Sequence, residues 1–132
     1  IIGPGSLYTS VLPNLLVPGI SDAIREAKAK KVYICNIMTQ EGETTNYTAT
    51  EHVQAIIDHC GVGIVEYIVV NDEKIPLSFL KAYAQENAMP VDYDGQQLQN
   101  LGLRVITGPF ITYHDGMIRH NALRVSEVIL NI

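Results

Sequence analysis

Positive charge is scarce in this chain of 132 residues: nine Lys and Arg stand against fourteen Asp and Glu, a formal net charge of −5. A nucleic-acid duplex, gripped through its neutralised phosphates, is therefore not an expected partner. A small anion is not excluded, because a few backbone N–H groups and one or two arginines suffice for it. Only two cysteines occur, Cys35 and Cys60, with no framework of spacings around them. That excludes a disulfide scaffold and suits free, buried thiols in the cytoplasm. No apolar run approaches the length of a membrane span, and neither a signal peptide nor a polybasic tract is visible. Gly-Lys-Ser/Thr is missing, so there is no P-loop, and Gly-x-Ser-x-Gly is missing, so a Ser/His/Asp hydrolase has no support. Four histidines are present, but His52 and His59 are seven positions apart on one predicted helix, while His114 and His120 lie in separate segments. Metal sites need tighter clusters, and no metal is expected from spacing.

What is present is an alternation of strand and helix patterns in a chain of one-domain length, the pattern of an α/β layered fold with a mostly parallel sheet. Lys31 to Ile37, Ile64 to Val70 and Arg104 to Ile111 read as buried strands, and Met117-Ile118 as a brief edge strand. Ile20, Ala23, Ile24 and Ala27 share one helical face. Thr48 and Glu51 form a capping box before a stripe of Val53, Ile56, Ile57 and Cys60. Pro76 suits a first helical residue, ahead of a stripe of Leu77, Leu80 and Ala84 that ends near Asn87. A short helix is expected over Gln96 to Leu101, and Asn121 caps a last one through Leu130.

The opening residues Ile1-Ile2-Gly3-Pro4-Gly5-Ser6 read as a strand end turning into a helix at Leu7 to Leu12. Such a turn leaves backbone N–H groups converging at a helix start, a natural seat for phosphate. Gly3, Gly5, Ser6, Leu7 and Tyr8 are thus candidate ligand-binding residues, with Gly3 and Gly5 suited to positive φ and Ser6 to capping the helix. Tyr8 stands where a dinucleotide fold wants its third glycine, which weakens a nicotinamide or flavin reading. A tight βα turn that binds nothing is the plain alternative.

Ligands of parallel sheets sit outside the carboxyl ends of the strands. That rule adds the loop from Asn36 to Thr44 and the segment Asn71 to Glu73. Asn36, Thr39, Gln40 and Glu43 offer amides, a hydroxyl and a carboxylate suited to sugar hydroxyls or a base edge; a solvated loop is the alternative. Arg119 precedes the last helix, where a cation is unfavourable, so phosphate pairing competes with a surface salt bridge. Tyr83, on a helix face with Phe79, either stacks on a base or packs in the core.

Two stretches carry a family likeness. Gly3-Pro4-Gly5-Ser6-Leu7-Tyr8-Thr9-Ser10 running on to Pro13-Asn14-Leu15-Leu16-Val17, and Val32-Tyr33-Ile34-Cys35-Asn36-Ile37-Met38-Thr39-Gln40 with Gly42-Glu43-Thr44, resemble the bacterial gluconeogenesis factor family. His52-Val53, the stretch from Tyr83 to Pro90-Val91, and Arg119-His120 fall in the same order. The likeness runs the whole length of the chain and covers the C-terminal part of such proteins. The chain also has no initiating Met, so residues 1–132 are expected to be the C-terminal part of a single CofD-like domain, its glycine-rich phosphate loop lying outside them.

That family shares a superfamily with 2-phospho-L-lactate transferase, which moves a phospholactyl group from a guanosine diphosphate donor to a deazaflavin alcohol. The resemblance implies a cytoplasmic, three-layer Rossmann-like α/β protein that binds a UDP-sugar such as UDP-N-acetylglucosamine. Its implied role is regulatory, in cell shape and wall synthesis on gluconeogenic carbon sources. Ser6-Leu7 stands where the transferase branch usually carries Asn-Pro, which favours the regulator and leaves the transferase as the alternative. By the same resemblance, Tyr83 packs on uracil or ribose and Arg119 pairs with phosphate. Asn121 replaces an acidic residue found after Arg-His in many members. No catalytic residue is assigned, Mg²⁺ accompanying the nucleotide is the one cofactor in view, and a homo-oligomer is expected because a truncated parallel sheet exposes an edge.

Overall fold

The computed structural model describes residues 1–132. Three short strands, β1 (Val32–Ile34), β2 (Tyr67–Asn71) and β3 (Arg104–Gly108), form a parallel sheet in the order β1-β2-β3. The register sets Val32 beside Tyr67 and Tyr67 beside Arg104. Ile2 extends the sheet by one parallel bridge to Tyr33, its N–H donating to the Val32 carbonyl at 2.8 Å. Strand polarity therefore puts the ends of Ile2, β1, β2 and β3 on one rim, which carries Gly3, Cys35-Asn36, Asp72 and Pro109.

A parallel strand covered on both faces reads as a continuous apolar run, and every residue of β1 is buried. Its side chains alternate between two cores. Tyr33 and Cys35 join Ile68 and Val70 beneath the helical layer formed by α1 (Leu12–Leu15), α3 (Ala49–Cys60) and α5 (Gly95–Asn100). Val32 and Ile34 join Tyr67, Val69 and Phe110 beneath α6 (Ala122–Leu130), which contributes Val125. The expected three layers are present.

Local chemistry explains the helices. Thr48 Oγ1 accepts from the Glu51 N–H at 3.3 Å, and Glu51 Oε2 accepts from the Thr48 N–H at 2.6 Å, closing the capping box ahead of α3. Asn121 Oδ1 accepts from the Arg124 N–H at 3.2 Å and starts α6. Asp94 does the same for α5.

Four expectations are corrected. The helix after the opening turn begins as a π-helical turn, Leu7–Val11, and the Ser6 side chain makes no capping bond. Gly3 has φ of 76°, but Gly5 has no positive φ. The third predicted strand is two strands. Pro109 fixes φ and carries no N–H, so the ladder stops at Gly108 and the chain restarts as β4 (Ile111–His114), paired antiparallel with β5 (Met117–His120). Finally, α2 (Ile20–Glu26) and α4 (Leu77–Ala84) bury no residue fully. The face that α4 turns inward is Phe79 and Tyr83 against Ile37, Ile111 and Ile118, whereas Leu77 is 74% exposed. The β4–β5 hairpin and Ile37 cover this helix, so its buried stripe follows them.

Candidate functional site

Next to the rim end of β1 lies a cavity of about 480 Å³ whose lining includes Asn36, Thr39, Gln40, Tyr83 and Arg119. Five candidate residues from three separate segments thus meet in one place. The segment from Ile37 to Thr39 is strapped to residues 89–91, with the Thr39 N–H donating to the Met89 carbonyl at 2.7 Å and the Val91 N–H to the Ile37 carbonyl at 2.9 Å. Thr39 itself is 2% exposed, and its hydroxyl accepts from the Met89 N–H at 3.0 Å. It builds the wall and has little left for a ligand.

Asn36 and Gln40 differ from it. Asn36 Oδ1 and Gln40 Oε1 are buried oxygens without a hydrogen-bond partner in the protein. Buried polar atoms are nearly always paired, so these two acceptors point to donors that the chain does not supply. The turn holding Gln40 is closed by the fully buried Thr44, whose hydroxyl accepts from the Gln40 N–H at 3.0 Å.

Tyr83 is half-buried, its ring packed with Ile37, Ile111 and Ile118. Its hydroxyl accepts from the Ile118 N–H at 2.9 Å, which ties α4 to β5 and leaves the phenolic proton to donate. Arg119 sits in β5 opposite Thr112 and is exposed. Its Nη2 donates to Met117 Sδ at 3.3 Å, a weak acceptor, and no carboxylate pairs with it. It is the only cation lining this cavity, whose rim also carries Glu41 and Glu86. The arginine at the start of α6 is Arg124, which donates to the Pro109 carbonyl.

His120 follows Arg119 and anchors it. Its Nε2 lies 3.0 Å from the Cys35 carbonyl oxygen. Burial pushes its pKa below the ordinary histidine value, partly offset by that carbonyl. Burial likewise raises the Cys35 thiol to about 12, so this cysteine is an inert core residue.

The opening turn lies apart from this cavity. Gly3 and Gly5 line a second, more apolar one of about 470 Å³ beside Ile1, Ile2 and Ile24. Leu7 is fully buried, and the Tyr8 hydroxyl is 2.9 Å from that of Tyr47, the bond that chiefly raises the Tyr8 pKa to about 12. Neither residue lines the Arg119 cavity. The N–H groups of Leu7, Tyr8 and Thr9 donate to no carbonyl of the chain, and the first bonds of the turn run from the Ser10 and Val11 N–H groups to the Ser6 carbonyl. Glu43 links turn and loop: its Oε1 accepts from the Thr9 hydroxyl at 3.0 Å, while Oε2 is buried without a partner.

Sequence reasoning missed the contribution of the β4–β5 hairpin, which brings Met117, Ile118 and Arg119 to the cavity. The signal was there. Asp115-Gly116, with φ of 50° and 73°, is the two-residue turn that favours hairpins, flanked by alternating apolar residues.

A family model described as 2-phospho-L-lactate transferase CofD matches residues 1–111. A gluconeogenesis factor of Halalkalibacterium halodurans is 58% identical over 98% of this chain and 40% of its own length. One of Bacillus subtilis is 50% identical over 100% of this chain and 42% of its own length. A crystal structure of a Bacillus halodurans protein superposes with a TM-score of 0.96 at 58% identity, covering 98% of this chain and 42% of that one. The chain therefore spans about two-fifths of the length of these relatives. No helix is long and apolar enough to cross a membrane. With residues 1–111 matched by its model, the chain belongs to the family described as 2-phospho-L-lactate transferase CofD, and the curated relatives it resembles there are named gluconeogenesis factors.

Proposed function

We propose that the cavity between Asn36 and Arg119 binds the nucleotide diphosphate of a UDP-sugar such as UDP-N-acetylglucosamine. The chain then acts as the ligand-reading, C-terminal part of a CofD-like regulatory domain, in a cytoplasmic, homo-oligomeric gluconeogenesis factor that serves cell shape and wall synthesis on gluconeogenic carbon sources. The observation that carries this reading is the meeting of an unpaired guanidinium, a phenolic hydroxyl and two orphaned amide oxygens around one cavity. Arg119 pairs with phosphate, Tyr83 presents its ring and proton to uracil or ribose, and Asn36 and Gln40 accept from sugar hydroxyls or the base. One arginine facing two glutamates is a thin positive field for a diphosphate. Mg²⁺ fits the donor set only as a companion of the ligand's own phosphate oxygens.

Calorimetric titration of the full-length protein with UDP-N-acetylglucosamine tests this. Arg119→Ala should weaken saturable binding by about 1.5–3 kcal/mol. No heat at millimolar ligand would refute the reading, and an unchanged affinity in the variant would retire Arg119.

The family description favours a second reading, a nucleotide-dependent transferase of the phospholactate type. Incubation with GDP-phospholactate and the deazaflavin alcohol, followed by mass spectrometry, decides it. A transferred product establishes turnover, and its absence leaves the regulator.

A further inference from the structure

The carboxyl ends of β1 and β2 open another cavity, of about 460 Å³, that shares Asn36 and Ile37 with the Arg119 cavity as a common wall. Nothing in the nucleotide reading uses it. Its floor is apolar, with Val70 and Val91 buried beside a half-buried Tyr93. Its charged lining is mostly acidic: Asp72, Glu73 and Asp92 against Lys74 alone, with Asn36 and Asn71 as neutral polar neighbours.

Two of those carboxylates are uncommitted. Asp72 and Glu73 are exposed and take part in no side-chain hydrogen bond or ion pair, and the Asp72 N–H is held by the Gly108 carbonyl at 3.1 Å. Asn71 fixes the loop that presents them. Its Nδ2 donates to the Glu73 carbonyl at 3.0 Å, and its Oδ1 accepts from the Phe110 N–H at 3.0 Å. Its amide is spent on the scaffold. Asp92 is likewise placed by its own turn, with Oδ1 accepting from the Tyr93 N–H at 2.9 Å.

Ionised carboxylates only accept hydrogen bonds, so they suit a group rich in hydroxyl donors and repel another anion. An aromatic and apolar floor suits the C–H face of a pyranose. The acids do not converge as metal ligands: no group of three or more His, Cys, Asp or Glu comes together that holds an ion. Because the two cavities share Asn36 and Ile37, a ligand reaching from Arg119 past Asn36 would arrive at the second one. We propose that the Asp72–Glu73–Asp92 cavity takes the sugar of the nucleotide sugar, admits neutral hydroxylated sugars, and excludes those that carry a carboxylate. This rests on the nucleotide reading above and adds to it a rule for which sugars are read.

The test is titration of the full-length protein with UDP, UDP-glucose and UDP-glucuronic acid, the last two differing by a hydroxymethyl against a carboxylate. UDP-glucose should bind about tenfold tighter than UDP, and UDP-glucuronic acid about tenfold weaker than UDP-glucose. In the Asp72→Asn, Glu73→Gln double variant the glucuronate penalty should shrink to about threefold while UDP binding stays at the wild-type level. Both substitutions are at exposed, unpaired side chains, so the fold is kept. Equal affinities for the three ligands, or a penalty unchanged in the variant, would overturn the sugar assignment while leaving the nucleotide reading intact. Silence from all three would sink both.

Discussion

The imidazole Nε2 of His120 and the carbonyl oxygen of Cys35 lie 3.0 Å apart, although 85 positions separate them in the chain. A carbonyl only accepts, so Nε2 carries the proton. Cys35 precedes Asn36, and His120 follows Arg119. One hydrogen bond therefore ties together the two segments that bring Asn36 and Arg119 to the lining of the candidate nucleotide cavity. A second bond, from the Asn121 N–H to the Phe110 carbonyl at 2.7 Å, closes the same open end of the hairpin.

Removing that donor should be felt. His120→Phe keeps an aromatic ring but leaves the Cys35 carbonyl unpaired in a buried setting, which costs about 1–3 kcal/mol. Urea unfolding of wild type and variant reads this directly. His120→Gln retains a donor and should recover part of the loss. A variant as stable as wild type would show that the hairpin is held by its apolar contacts alone.

How much of this was legible in the sequence depended on whether a feature was local. The run Val32-Tyr33-Ile34-Cys35 and the Thr48–Glu51 box carry their own signals, and both elements form where expected. Leu77 did not announce its exposure, because which face of α4 is covered depends on a hairpin more than 30 positions away. Pro109 hid the break between β3 and β4 inside an apolar stretch. At the site, the rule that ligands gather at strand ends pointed to Asn36 and Gln40, while Arg119 was singled out by its place before the last helix and Tyr83 by its helix face, and only tertiary packing brings the four to one cavity. In the opening turn the positive φ expected at Gly3 is present. Where its side chains point was not legible, since Leu7 goes into the core and Tyr8 to Tyr47.

The capping box offers a clean stability test. Thr48→Ala removes the acceptor for the Glu51 N–H and loosens the partner of the reciprocal bond, for a loss of about 1 kcal/mol. Because α3 contributes six buried residues, the loss should shift the global denaturant midpoint, not merely fray the helix. An unmoved midpoint would mean that packing alone sets this helix start.

Acid should destabilise the fold through two histidines. His52 is fully buried, with Nδ1 2.8 Å from the Thr48 carbonyl and Nε2 without a partner. Burial lowers its pKa below the ordinary 6.5, only partly offset by that carbonyl and by Glu51, and burial also lowers His120. Below the ordinary value the unfolded chain takes up protons that the folded chain refuses, so stability rises with pH across this window. The contribution is complete above the unfolded pKa and is lost as pH falls through the lowered folded values. Melting temperature should drop between neutral pH and mild acid, and His52→Phe should flatten that slope. A slope unchanged by the substitution would remove His52 from the account.

Gly3 and Gly19 separate two penalties that usually come together. Both have positive φ, 76° and 84°, where an L side chain is strained. A Cβ at Gly19 would meet nothing within 4 Å, whereas at Gly3 it would sit 2.9 Å from the Ile34 carbonyl oxygen. Gly19→Ala should therefore lose only the backbone term, about 1–2 kcal/mol. Gly3→Ala should lose that and a further 1 kcal/mol or so, because a strand carbonyl cannot step aside as a flexible side chain can. It should also disturb the bridge between Ile2 and Tyr33, which amide exchange at Ile34 would report, since that N–H donates to the Ile2 carbonyl at 2.9 Å. Equal losses in the two variants, with Ile34 exchange unaltered, would show that the sheet edge yields and that Gly3 is there for its φ alone.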